Sequence, residues 1–177
     1  MEVLTMFLAE KYKIVPIYHE YDLSTHDTVQ PSDSWNMKGY HHATIILQYN
    51  TLGGASTLCY VYSGTTAAAL SSALIFNYAF SGADTGTATA GSATSCDVLA
   101  AWGVVTTAAP YVTVTHGTYT DRMLVIEVSA SAMDTANNEE WMTVNHTDPS
   151  TGATGNVTGF AILHPRYPGN RIPTCLA

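Results

Sequence analysis

Three groups of side chains in this chain have the types and spacing to suggest chemistry: the adjacent pair His41-His42, the adjacent carboxylates Glu139-Glu140, and the cysteines Cys59, Cys96 and Cys175. A histidine pair suggests a metal ligand set, but neighbours on a strand project to opposite faces, so the two imidazoles are not expected to share an ion. His19 and His26 precede them at no ligand spacing. Two carboxylates suggest a glycosidase acid and base, yet adjacent ones diverge and do not bracket a bond from two sides. They are expected at a solvated helix end. Three cysteines are an odd number without C-x-x-C spacing, which fits free thiols better than a disulfide framework or zinc site. Cys59 lies within the apolar run Leu58 to Tyr62 and reads as a small buried hydrophobe.

The common catalytic motifs are absent from the sequence: no G-x-S-x-G elbow, S-x-x-K, P-loop or G-x-G-x-x-G occurs. A Ser/His/Asp triad can be assembled on paper from so many Ser, His and Asp residues that the match carries no information. The sequons Asn145-His146-Thr147 and Asn156-Val157-Thr158 read as chance matches. The reading is a non-enzymatic protein with no catalytic residues, no metal and no cofactor.

Charge supports that reading. Only 11% of the 177 residues are charged, and between Gly39 and Thr120 the formally charged side chains are Asp84 and Asp97 alone. A surface so poor in charge repels other copies weakly. The net charge of -8, with six Lys plus Arg and no basic run, argues against direct nucleic-acid binding and anionic lipid. Residues 1–8 lack the basic and long apolar segments of a signal peptide or membrane span, so no membrane association is expected.

The elements expected to position these residues are strands. Short β-branched or aromatic runs bounded by Gly, Ser, Asn or Asp recur at Ala43 to Tyr49, Thr57 to Tyr62, Leu74 to Phe80, Leu99 to Val105, Tyr111 to Thr115, Arg122 to Val128, Trp141 to His146 and Val157 to Leu163. Eight strands without a long amphipathic helix predict an all-β fold, an antiparallel β-sandwich of jelly-roll type. Ile46 and Ile126 are expected in its core. Gly82 to Ser95 reads as a long flexible loop, and Ser131 to Glu140 as one or two helical turns capped by Ser129 or Ser131, with Met133 turned inward.

Residues 1–35 differ in carrying six carboxylates, Pro16 and Pro31, and no regular apolar period. They read as an extended N-terminal arm ahead of a β-sandwich domain over residues 36–177. An ordinary edge strand over Lys13 to Tyr18 is the competing reading. If the arm is extended, Phe7, Ile14, Val15 and Ile17 are its candidate partner-interface residues.

Three segments carry a resemblance. Lys13-Ile14-Val15-Pro16 followed by Trp35-Asn36-Met37-Lys38-Gly39-Tyr40-His41-His42-Ala43-Thr44-Ile45-Ile46-Leu47 resembles the opening arm and first long strand of a family of small virion proteins of tailed bacteriophages. Met123 to Asp134 is similar to that family's strand-then-turn segment, and Phe160-Ala161-Ile162-Leu163-His164-Pro165-Arg166-Tyr167 to its closing strand. The resemblance implies a capsid decoration or minor head protein, made in the host cytoplasm and located on the phage head. It implies the major capsid protein as partner, and self-association as a trimer or other symmetric oligomer. A tail or head-to-tail connector protein is the nearest alternative. A carbohydrate- or receptor-binding β-module is another, and would require an exposed aromatic platform or a polar groove.

Overall fold

The computed structural model describes residues 8–24, 29–82, 98–148, 152–167 and 175–176. Its strands are β1 (Lys13–Asp22), β2 (Gln30–Pro31), β3 (Trp35–Asn36), β4 (Tyr40–Tyr49), β5 (Thr57–Gly64), β6 (Ser72–Ala73), β7 (Asn77–Phe80), β8 (Gly103–Val104), β9 (Tyr111–Val114), β10 (Met123–Ser129), β11 (Trp141–Thr147) and β12 (Asn156–Pro165). Two single helical turns accompany them, α1 (Leu8–Lys11) and α2 (His116–Tyr119).

The strands form two antiparallel sheets. The first has the order β1-β12-β4-β10-β7-β8; the second has the order β2-β11-β5-β6, with β3 also on β11 and β9 also on β5. The all-β sandwich expected from the sequence is the observed fold. Its cause is legible in β5, where Thr57, Cys59, Val61 and Ser63 are buried while Leu58, Tyr60 and Tyr62 are half-buried, the period of two that turns alternate side chains to opposite faces. β4 behaves likewise: Ala43, Ile45, Leu47 and Tyr49 enter the core between the sheets. The core also takes Trp35, Leu124, Ile126, Met142, Val144 and Leu163.

The N-terminal expectation is corrected for residues 13–22. β1 pairs with β12 from Lys13↔Leu163 to Asp22↔Asn156 and is an edge strand of the first sheet, the competing reading of that segment. Val15 and Ile17 are 1% and 2% exposed and belong to the core, so neither is available to a partner. Ile14 points the other way and is 40% exposed. Two register shifts, at Pro16/Tyr18 and Tyr18/Tyr21, break the alternation and gave the segment its arm-like pattern. Pro16 is tolerated because an edge strand has one side with no ladder to supply. Phe7 lies outside the described residues, as do most of Gly82 to Ser95.

Ser131 to Glu140 forms no α-helix. It holds two 3₁₀ turns, Ala130–Ala132 and Thr135–Asn137, with Ser129 capping the first through its side chain and Met133 buried at 7% exposure. Asn138 adopts a left-handed conformation at φ 58 that ends the second turn.

Two glycines are fixed by both conformation and space: Gly155, with φ +119 and a Cβ that would stand 2.5 Å from the Thr51 carbonyl oxygen, and Gly54. Gly54 has φ +71, and a Cβ there would stand 1.8 Å from the Gly152 carbonyl oxygen. Gly54→Ala is expected to destabilise the fold by at least about 1–3 kcal/mol, the usual cost of holding a non-glycine residue in a strained conformation. Gly117→Ala, whose added Cβ meets nothing within 4 Å, should not. Urea denaturation of the two variants checks the contrast.

Candidate interaction surfaces

The outer faces of the two sheets differ in chemistry. On the first, the pairing register places Pro16 of β1 beside Phe160 of β12, Phe160 beside Ile46 of β4, Ile46 beside Val125 of β10, and Val125 beside Ala79 of β7. The result is one apolar row crossing five strands. The next row adds Ile14 beside Ile162. Phe160 and Ile14 are 38% and 40% exposed, and Ile46 and Ile162 are half-buried. Val125 and Ala79 are buried outside the core cluster that lies between the sheets. An antiparallel sheet with one solvated face normally alternates apolar-in with polar-out. Ile46 is therefore corrected from a core residue to an outer-face residue, whereas Ile126 is fully buried as expected.

Beside the apolar row stands a polar cluster drawn from three adjacent strands. His42 Nε2 contacts a carboxylate oxygen of Glu127, and Thr44 Oγ1 donates to the same carboxylate at 3.0 Å. Thr44 Oγ1 is also 3.1 Å from His164 Nε2. The His41 and His42 rings lie 6.1 and 5.2 Å from that of His164, so both members of the adjacent pair flank one imidazole across an irregularity at His164/Pro165. Partial burial, and then the His42 charge, hold the His164 pKa below the usual histidine value. The Thr44 hydroxyl thus directs its proton to the Glu127 carboxylate, and its oxygen faces His164. Among the described residues no group of three His, Cys, Asp or Glu is arranged to hold a metal ion.

Glu139 and Glu140 diverge as expected, but Glu139 is not solvated. It is 4% exposed and accepts hydrogen bonds from Ser63 Oγ and, at 2.9 Å, from Ser72 Oγ, tying the turn after the 3₁₀ segment to β5 and β6. Cys59 and Cys175 are free thiols. Burial pushes the Cys59 thiol up to about 12, which keeps it protonated and inert at neutral pH. Asn145 of the first sequon is 1% exposed, so a folded chain does not present it for glycosylation.

On the outer face of the second sheet stand tyrosines. Tyr60 and Tyr62 are half-buried on β5 with near-parallel rings, 5.4 Å between centroids and 26° between planes. Tyr111, paired with Tyr60 across β9, brings its ring to 5.2 Å. Thr143, opposite Tyr62, shares a 2.7 Å hydrogen bond with Ser34, whose oxygen also accepts from the Ala68 backbone N–H. Ser34 and Ala68 line a cavity of about 350 Å³ together with Ser32, Asp33, Ala67 and Leu176.

Of the residues named from the sequence for a partner interface, the structure leaves Ile14 on an accessible face, joined there by Pro16, Phe160, Ile162 and Ile46. The missed signal was consecutive apolar residues. Phe160-Ala161-Ile162-Leu163 and Ile45-Ile46-Leu47 are apolar at both parities, the pattern of strands covered on both sides. No family model matches the chain, and no curated protein matches it.

Proposed function

We propose that this chain is a non-enzymatic structural protein of a bacteriophage particle, a decoration protein that docks on the head shell in many copies and reinforces it. The observation that carries the reading is the apolar row on the outer face of the first sheet. A solitary domain gains nothing from Phe160, Ile46, Ile162 and Ile14 there, while an assembling one gains a patch whose burial contributes about 25 cal/mol per Å². The resemblance in the three segments points to the same class of protein. The major capsid protein and neighbouring copies of this chain are the partners in this reading. Binding only to the assembled shell stabilises that shell by mass action.

The test heats undecorated heads with native protein, with Phe160→Asp protein, and with none. Native protein is expected to raise the temperature of DNA release. Phe160→Asp, placing a charge in the centre of the row, should weaken binding at least about ten-fold while leaving the circular dichroism spectrum unchanged. Failure of the native protein to bind heads overturns the decoration reading, and undiminished binding by the variant removes the apolar row from it.

A further inference from the structure

We propose that the outer face of the second sheet is a binding site for a neutral glycan, with sugar rings resting on Tyr60, Tyr62 and Tyr111 and sugar hydroxyls reaching the cavity beside Ser34 and Asp33. A sugar ring presents a C–H face and a rim of hydroxyl groups, and it is held where an aromatic surface adjoins neutral polar groups. The two halves of that requirement meet at Thr143, which lies opposite Tyr62 and is hydrogen-bonded to the Ser34 wall of the cavity.

The ring geometry leaves room for a ligand. Phe80 and Tyr119 stack at 3.7 Å and 12°, closing each other's faces. Tyr60 and Tyr62 stand further apart, at 5.4 Å and 26°, and with Tyr111 are half-buried, so part of each side chain remains accessible. Partial desolvation raises the pKa of both phenols, which keeps their hydroxyls neutral and able to donate as well as accept.

The cavity selects the ligand class. Ser34 is occupied by Thr143 and the Ala68 N–H, and Ser32 Oγ by the Asp33 carbonyl and the Val144 N–H, so their oxygens shape the wall. Asp33 is exposed at the rim, and its carboxylate is an acceptor for sugar hydroxyls. It is the sole charge among the cavity-lining and ring residues, which disfavours sialylated or phosphorylated sugars. The aliphatic face of the first sheet has the opposite character and suits protein. The two sites are on different faces, so loss of one leaves the other intact.

The experiment titrates isotope-labelled protein with cellohexaose, maltohexaose and mannohexaose, and with sialyllactose as the charged control, following amide and tyrosine ring shifts by NMR. At least one neutral hexasaccharide is expected to bind in the millimolar range or tighter, moving the Tyr60, Tyr62 and Tyr111 signals. Tyr60→Ala and Tyr62→Ala should each weaken it at least about ten-fold, a loss of about 1.4 kcal/mol. Tyr60→Phe should retain most of the affinity, and Phe160→Asp all of it. Absence of binding by all three hexasaccharides overturns the proposal, as does binding that survives both alanine variants in a folded protein or that favours sialyllactose.

Discussion

Ile126→Ala is expected to lower the unfolding free energy by about 2–5 kcal/mol, while Ile46→Ala on the neighbouring strand should cost about 1 kcal/mol or less in the isolated chain. The two residues are similar in sequence context, each inside an apolar run on a central strand of the first sheet. Ile126 is 0% exposed and pairs with Ile45, pointing between the sheets, so truncation leaves a cavity among rigid neighbours. Ile46 pairs with Val125 and Phe160 on the outer face, where water fills the space left behind. Urea unfolding followed by circular dichroism measures both. Equal losses would mean that the outer face is as closed as the core. A loss for Ile46→Ala that appears only in the assembled state would place a partner on it.

How much of this was legible beforehand depended on strand length and on which sheet the chain was in. β4, β5, β10, β11 and β12 span seven residues or more and are recognisable as strands by their β-branched and aromatic runs, although of these only β4, β5 and β12 bury alternate residues regularly. β2, β3, β6 and β8 are two residues long and carry no period of their own. The run Leu74 to Phe80 reads as one strand but contains a crossing: β6 belongs to the second sheet and β7 to the first, with Leu74 and Phe76 buried between them. Likewise, of Leu99 to Val105 only Gly103 and Val104 pair as β8, at an edge where Gly103 lies close against the Tyr78 ring.

The surfaces were less legible than the core because they are assembled across strands. Pro16, Ile46, Val125 and Phe160 are far apart in sequence and become neighbours through register alone. The same holds for His42, Glu127 and His164, of which only His42 stands out in the sequence, through its adjacency to His41. The tyrosine group is not legible in the sequence, since Tyr111 reaches Tyr60 only when β9 pairs with β5.

Lowering the pH should destabilise the fold by at most about 1.4 kcal/mol per unit through His146, from about pH 6.5 down towards pH 3. His146 is 0% exposed in the core between the sheets, with Nε2 2.8 Å from the Tyr49 hydroxyl and Nδ1 3.1 Å from that of Tyr18. The Tyr18 O–H donates to the Val144 carbonyl, so Nδ1–H donates to Tyr18 and Nε2 accepts from Tyr49. That network fits the neutral ring. Burial pushes the His146 pKa from 6.5 down to about 3. Between those values the unfolded chain binds a proton that the native chain does not, so this contribution is fully present above the unfolded pKa and shrinks as pH falls. His146→Gln should lower stability at pH 8 by about 1–3 kcal/mol through the broken network, yet lose less on acidification than the native chain. Carboxylates and His164 titrate in both proteins, so the difference between the two pH profiles isolates the buried ring. Parallel profiles from pH 8 to pH 4 would mean that His146 takes up its proton without unfolding the sandwich, and would remove it as the source of acid sensitivity.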